Sequence, residues 1–253
     1  MSAPPAEPAS VFVPVGGSFS ARLARRVSIA QATLDLSFDL EAPGRLAFEP
    51  GQFLTMFLPN DQSDGPTLKR SYSLASAVSP TDVLRFVVRL VPDGAASRAI
   101  LALPLGATVA FTGPHGYFTL AAEHPGDLVF GVTGTGMAAL FPMLTSLAGQ
   151  PAKGRRILFW GLRREDDVFA LSEVEALCAA AQTSLQLFLS APSPSSAVSR
   201  GRITEPLLAS LPGLQAPTFY LVGNGAMIAD VKRDLVAHGV NRKTQIRTEA
   251  FFD

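Results

Sequence analysis

Between Arg22 and Leu120 apolar and polar positions alternate in short runs that turn residues interrupt. In "TLDLSFDL", Leu34, Leu36, Phe38 and Leu40 take one face while Asp35, Ser37 and Asp39 take the other, as in a half-buried strand. "VLRFVVRLV" repeats the device, with Leu84, Phe86, Val88 and Leu90 opposing Arg85 and Arg89. Turns fall at "APGR", "EPGQ", "VPDG", "PLGA" and "TGPHG", a spacing that predicts a small antiparallel β-barrel. After "HPGD" the pattern changes. "DLVFGV", "RRILFWGL", "LQLFLSA" and "TFYLVGN" read as apolar strands with helical patterns between or after them, which predicts a parallel sheet flanked by helices. In "LSEVEALCAAA", Ser172 and Glu175 have the spacing of a capping box. The expected fold class is therefore two-domain: residues 1–20 a flexible Pro/Ala-rich tail, 21–122 an antiparallel barrel, and 123–253 an α/β domain, with the junction near residues 121–127.

Composition narrows the classes of function. At 253 residues, 47% of them hydrophobic, the chain can bury two ordinary cores. Twenty-one basic residues balance 21 acidic ones, so no general attraction to nucleic acid or to an anionic membrane is expected; a small ligand or a protein partner fits better. The single cysteine, Cys178, leaves no disulfide framework, CxxC pair or four-cysteine iron–sulfur site in this chain, and a reducing, cytoplasmic setting is expected. The start "MSAPPAEPAS" has neither the basic opening nor the apolar core of a signal peptide. Leu128 to Ala152 carries no charge and has spanning length, but Gly131, Gly134 and Gly136 near its start favour a strand, a glycine turn and a helix. The three histidines show no metal-ligand spacing, so no metal is expected.

Two stretches carry candidate chemistry. "GVTGTGMAA" ends a strand and opens a helix, so its backbone N–H groups and the helix dipole can receive a pyrophosphate. The tip of the next strand, "GLRRED", offers Arg163 and Arg164 first, which suits phosphate groups. The second stretch is "KRSYSLAS". A flavin requires a cation for its pyrophosphate, an apolar or aromatic surface for its ring and hydrogen-bonding groups at the ring edge; Arg70, Tyr72 and Ser73 are one of each. Along a strand Arg70 and Tyr72 point one way, Ser71 and Ser73 the other.

Taken together, these motifs resemble those of the ferredoxin–NAD(P) reductase family of flavoproteins. "RSYSLAS" resembles its RxYSxxS flavin motif, "PDGAAS" its pyrophosphate loop, and "GPHGYFTL" its GPxGxF turn. "GVTGTGMAA" stands at its nicotinamide loop, "FWGLRRED" at its GxR strand end, and "YLVGNGAMI" at its CGxxxMI segment. The resemblance runs in order from about Arg22 to the chain end. It implies an FAD-binding barrel joined to a Rossmann-like NAD(P)-binding domain, with NADH or NADPH as donor and a separate electron-acceptor protein as partner. It further implies that Arg70 pairs with the FAD pyrophosphate, that Tyr72 packs beside the isoalloxazine with Ser71 next to it, and that Ser73 sits near flavin N5. Gly94 and Ser97 are expected to donate to the phosphates, with Arg89 to Val91 beside the ribityl or adenosine part. Thr133 and Gly134 border the incoming nucleotide, and Gly223, Asn224 and Met227 complete its pocket. In "RTEAFFD", Glu249 joins Ser73 as a catalytic candidate, and Phe251 or Phe252 is expected over the exposed flavin face.

The departures from the family pattern are Val222 for a cysteine, Met137 for a proline and Val132 for a glycine. They imply weakened nucleotide docking, and they keep open a second reading, a non-catalytic or regulatory flavin-binding subunit. "LSAPSP" lacks the basic residue that many NADPH-selective relatives carry after the serine matching Ser190, which tilts the expected donor slightly towards NADH.

Overall fold

The computed structural model describes residues 11–12, 17–42, 44–60, 67–77, 79–121 and 123–251. The first half contains β1 (Val11–Phe12), β2 (Ser18–Ala30), β3 (Thr33–Ala42), β4 (Arg45–Leu46), β5 (Phe53–Leu58), β6 (Leu68–Ser73), β7 (Val83–Arg89), the helix α1 (Ala95–Ala102) and β8 (Thr108–His115). Six of the strands form one antiparallel sheet in the order β6-β5-β8-β2-β3-β7. It closes into a barrel where Ala75, just past β6, donates its N–H to the Arg85 carbonyl of β7 at 2.8 Å. The alternation does its work here: Leu34, Leu36, Phe38, Leu84, Phe86 and Val88 are all buried in one core. Phe38, Phe86 and Phe111 meet at its centre, with ring centroids 5.3 to 6.0 Å apart.

Two expectations for this half are corrected. Asp35 does not face solvent: it is buried, paired with Arg85 at 3.1 Å and Arg25 at 3.4 Å. Its face of β3 and β7 is covered by the second half of the chain, which the period-two pattern has no means of showing. The expected tail is also shorter than residues 1–20, because β1 pairs in parallel with β4 and β2 begins at Ser18.

The second half contains β9 (Leu128–Thr133), α2 (Met137–Leu147), β10 (Arg156–Leu162), α3 (Leu171–Ala180), β11 (Thr183–Leu189), β12 (Ser199–Arg200), α4 (Thr204–Ala209), β13 (Thr218–Asn224), α5 (Gly225–Ala237) and β14 (Ile246–Phe251). All six strands are parallel, in the order β12-β11-β10-β9-β13-β14. α2 and α3 pack on one face of this sheet, α4 and α5 on the other. The charge-free stretch after Leu128 is a buried strand, a 3₁₀ turn at Gly134–Gly136 and a helix, and no described helix is long and apolar enough to cross a membrane. The capping box is corrected: α3 starts at Leu171 behind a left-handed Ala170, so Ser172 lies inside the first turn and no side chain caps the helix. The sequence reading also missed that "RTEAF" belongs to an edge strand, β14.

The apolar core of the second half runs on into the barrel. Ala75, Val87 and Phe118 belong to the same buried cluster as α2 and β9. The Phe118 ring lies edge-on to Tyr220 at 5.9 Å, and the Tyr220 hydroxyl accepts the Ala121 N–H at 3.0 Å. Gly51 closes this seam at φ +103°, with space for no side chain: an added Cβ would stand 2.0 Å from the Phe118 carbonyl oxygen and 2.4 Å from the Met143 methyl. Gly51→Ala combines a left-handed backbone with overpacking against main chain, so it is expected to destabilise the protein by about 3 kcal/mol in urea unfolding. A loss below about 0.5 kcal/mol, the scale of a neutral surface change, refutes this account of the seam.

Candidate active site

A cleft of about 1070 Å³ opens between the barrel and the ends of the parallel strands. That is the edge of a parallel α/β sheet where ligands bind. Its floor is the tips of β9 and β13, which interlock. Gly223, at φ +118°, lets β13 pass within contact of Thr133, and the Asn224 N–H donates to Thr133 Oγ1 at 2.8 Å. Asn224 Oδ1 in turn accepts the Met227 N–H at 3.1 Å and caps α5. Gly134, at φ +56°, has open space where a side chain would stand, and its carbonyl accepts from Trp160 Nε1 at 3.2 Å. Bare backbone thus stands beside the opening of a helix, an arrangement that can receive a phosphate group.

Of the residues expected from sequence, Arg89, Val91, Thr133, Gly134, Arg163, Gly223, Asn224, Met227 and Phe251 line this one cleft. Phe252 lies outside the described residues. The sequence reading missed Arg202, which reaches the same wall as Arg163 and Ser190 because the short strand β12 pairs with β11 and returns the chain to it. The available signal was the basic "SRGR" turn after a serine-rich stretch. Among the described residues Arg89, Arg163 and Arg202 form no ion pair. The two carboxylates in the lining are engaged elsewhere: Asp167 accepts the Arg164 N–H at 3.0 Å, and Asp230 pairs with Arg233 at 2.9 Å. The cleft thus presents three cations, none of them paired with a carboxylate among the described residues, beside two carboxylates that already have donors. Val132, Met137 and Val222, the departures that suggested weak docking, are fully buried and do not line the cleft.

The flavin-type motif lies on β6, paired with β5. Arg70 and Tyr72 share a face and Ser71 takes the other, its hydroxyl 3.3 Å from that of Thr55. Arg70 is exposed and donates to the Lys69 carbonyl at 2.8 Å. Tyr72 stands edge-on to Phe86 at 6.4 Å, and burial pushes its phenol up to about 12 against the pull of Arg70. Gly94 and Ser97 are tied into their own loop. The Gly94 N–H donates to the Val91 carbonyl at 3.0 Å, and the Ser97 hydroxyl accepts the Val91 N–H at 2.8 Å. Both residues shape the loop, and the N–H groups of the first turn of α1 remain as the donors the helix itself does not use.

Ser73 and Glu249, 176 residues apart in sequence, meet across the two halves: Ser73 Oγ donates to Glu249 Oε1 at 3.2 Å. Burial pushes the Glu249 carboxyl up to about 7, against the stabilising bond from Ser73. Cys178, by contrast, is buried within α3, its thiol pushed up to about 11, away from this chemistry.

Fold and site define a flavin- and nicotinamide-dependent oxidoreductase: a barrel with a cation, an aromatic and a hydroxyl in register, facing a parallel sheet with a phosphate cradle. Family comparison agrees. Residues 20–120 match the model of the oxidoreductase FAD-binding domain and residues 132–233 that of the oxidoreductase NAD-binding domain. The chain is 31% identical over 221 residues to ferredoxin–NADP reductase B of Sorangium cellulosum, covering 85% of this chain and 89% of that one. It is 31% identical over 204 residues to the xylene/toluene monooxygenase electron transfer component XylA of Pseudomonas putida, covering 79% of this chain but only 56% of that longer protein. The structure aligns with the Amycolatopsis cytochrome P450 reductase GcoB at TM-score 0.81 and 27% identity, covering 93% of this chain and 70% of that one. The chain belongs to the ferredoxin–NAD(P) reductase family.

The Glu249 shift has a measurable sign. Its pKa rises from 4.5 unfolded to about 7 folded, so between those values the folded protein binds more protons and stability falls as pH rises. Glu249→Gln is expected to remove a slope of up to about 1.4 kcal/mol per pH unit from denaturation curves in that window. Identical slopes in both proteins place the carboxylate in water instead.

Proposed function

We propose that the chain is an NAD(P)H-dependent flavoprotein reductase that moves a hydride from the nucleotide to FAD and passes electrons to a separate acceptor. The reading rests on one observation, a single cleft in which the nucleotide-type residues at the ends of the parallel strands face Arg89 and Val91 of the barrel. FAD, when bound, supplies a centre that accepts two electrons together and releases them singly. The chain's residues do the rest. Arg70, the first turn of α1 and Arg89 hold the flavin's phosphates and ribityl, Tyr72 backs its ring, and Phe251 covers the open face. Thr133, Gly134, Gly223 and Met227 seat the nicotinamide half of the donor. Ser73, tied to Glu249, holds a proton at the edge where the two rings meet; with a carboxyl near neutrality, Glu249 exchanges it with solvent at working pH.

Arg163 and Arg202 beside Ser190 favour NADPH, because Arg202 supplies from the following turn the base that "LSAPSP" lacks. The acceptor is a protein such as a ferredoxin, a flavodoxin or an oxygenase component, since relatives are named as ferredoxin reductases and monooxygenase components and this chain's one cysteine cannot ligate a cluster. A cytoplasmic setting fits the nucleotide donor.

Anaerobic NADPH added to the FAD-loaded protein is expected to bleach the ~450 nm band within seconds. A flavin that stays oxidised with either nucleotide overturns the reductase reading in favour of a regulatory flavin-binding subunit. Arg202→Ala should raise KM for NADPH by about tenfold and leave KM for NADH within about twofold, on the loss of one charge-assisted phosphate contact. Equal effects on both donors remove Arg202 from 2′-phosphate recognition.

A further inference from the structure

Arg85 stands outside the cleft, and nothing in the flavin or nucleotide motifs assigns it a role. It is the most heavily bonded cation in the molecule's interior seam. From β7 its guanidinium reaches two carboxylates at once. On the barrel side Nε and Nη2 donate to buried Asp35 at 3.1 to 3.3 Å. On the other side Nη1 and Nη2 grip both oxygens of Glu173 on α3, at 2.5 and 2.9 Å. Its plane also lies over the Phe141 ring of α2, 4.9 Å from the centroid. The main chain of the same residue closes the barrel beside the flavin motif: its carbonyl takes the Ala75 N–H, and its own N–H donates to Ser76 Oγ at 3.0 Å.

Arg85 therefore lies within a few residues of both walls. Four residues on, β7 ends at Arg89, where the barrel wall of the cleft begins; α2, which carries Phe141, opens immediately after the Gly134 cradle. Ser73, two residues before Ala75, makes a further polar contact between the halves, with Glu249, beside the Ala121–Tyr220 bond and the Gln31 N–H to the Asp166 carbonyl. We propose that Arg85 is a positioning residue for the hydride step: braced on Asp35, it holds Glu173 so that the barrel wall and the sheet wall of the cleft keep one separation and angle. The inference rests on the reductase reading above.

An apolar seam resists separation but tolerates sliding and rotation, because dispersion contacts are non-directional. A planar fork bonded to two oxygens fixes direction as well as distance. Such a pair contributes little net stability, especially where one partner is partly exposed, as the Glu173 side chain is at 40%. Its removal should then affect geometry more than folding. Most of the cleft residues that seat the donor lie in the parallel-sheet half, so donor affinity should survive; what suffers is the apposition of the reacting atoms, to which rates are steeply sensitive.

The test uses the FAD-loaded protein and Glu173→Gln, which leaves the Arg85–Asp35 brace intact, with Arg85→Lys and Arg85→Met beside it. Glu173→Gln is expected to lower kcat for NAD(P)H oxidation about tenfold, with KM within about threefold and unchanged FAD content. Arg85→Lys should fall between wild type and Arg85→Met, since it keeps charge but loses the fork. A second readout is independent of turnover: spin labels at Leu105→Cys on the barrel and Val236→Cys on α5, both exposed positions, should give a broader distance distribution in Glu173→Gln than in the parent. A wild-type protein that does not oxidise NAD(P)H fails the reductase reading itself. An active wild type whose Glu173→Gln form keeps kcat within twofold and the same distance distribution overturns the positioning role. A fall in thermal stability alone, with kcat per bound FAD unchanged, makes the pair a structural tie and overturns it equally.

Discussion

The structure depends on an apolar core that does not stop at the boundary between its two halves. Val87 on β7 and Phe118 after β8 are packed with Phe141, Met143 and Tyr220 of the parallel-sheet half, in one buried cluster. A strand covered on both faces can no longer follow a clean inside/outside alternation, and β7 accordingly has Phe86, Val87 and Val88 buried in succession. Where that core displaces much of the water, the polar groups that cross the seam pair with one another. This is the physical origin of the Arg85–Asp35–Glu173 cluster, the Tyr220–Ala121 bond and the Ser73–Glu249 pair. The cleft is the part of the seam that the core does not fill.

The cleft's electrostatics follow from the same economy of partners. Buried cations need carboxylates and surface carboxylates find nearby donors, so Asp35, Asp167 and Asp230 are engaged before any ligand arrives. Arg89, Arg163 and Arg202 are left without carboxylate partners among the described residues, along one exposed groove where their potentials reinforce one another. A chain with equal numbers of acids and bases thus holds a locally positive site, which a whole-chain charge count averages away.

Patterns within a strand were legible in the sequence, and contacts between halves were not. Leu34, Leu36 and Phe38 announced their face because the side-chain period of a strand is two, and the glycines of "GVTGTG" announced a turn because few other residues accept its backbone. The same rule put Asp35 and Arg85 in solvent, since it knows nothing of what packs on the outer face. Ser172 looked like a cap because its spacing to Glu175 was right, yet the helix begins a residue earlier, at Leu171, where tertiary packing of Phe169 and Val174 sets the entry. Arg202 was hidden for a topological reason: only the pairing of β12 with β11 brings it back to Arg163. The family resemblance named Ser73 and Glu249 as candidates, but their contact depends on the end of β6 meeting β14 across the two halves.

That contact also explains why a carboxylate is tolerated in the seam at all. A buried ionised glutamate with one hydroxyl partner is poorly compensated, and the group answers by taking up a proton more readily than it would in water. A carboxyl that titrates near neutrality gives Ser73 a partner able either to accept or to donate, so the pair can answer a change of charge beside it without moving any backbone. An aspartate would not reach and a glutamine would not titrate. The chain end therefore fits this position for a physical reason: a β-edge residue, packed on one side by the barrel turn at Gly116 and still near solvent, is dry enough to raise the pKa and open enough to exchange the proton.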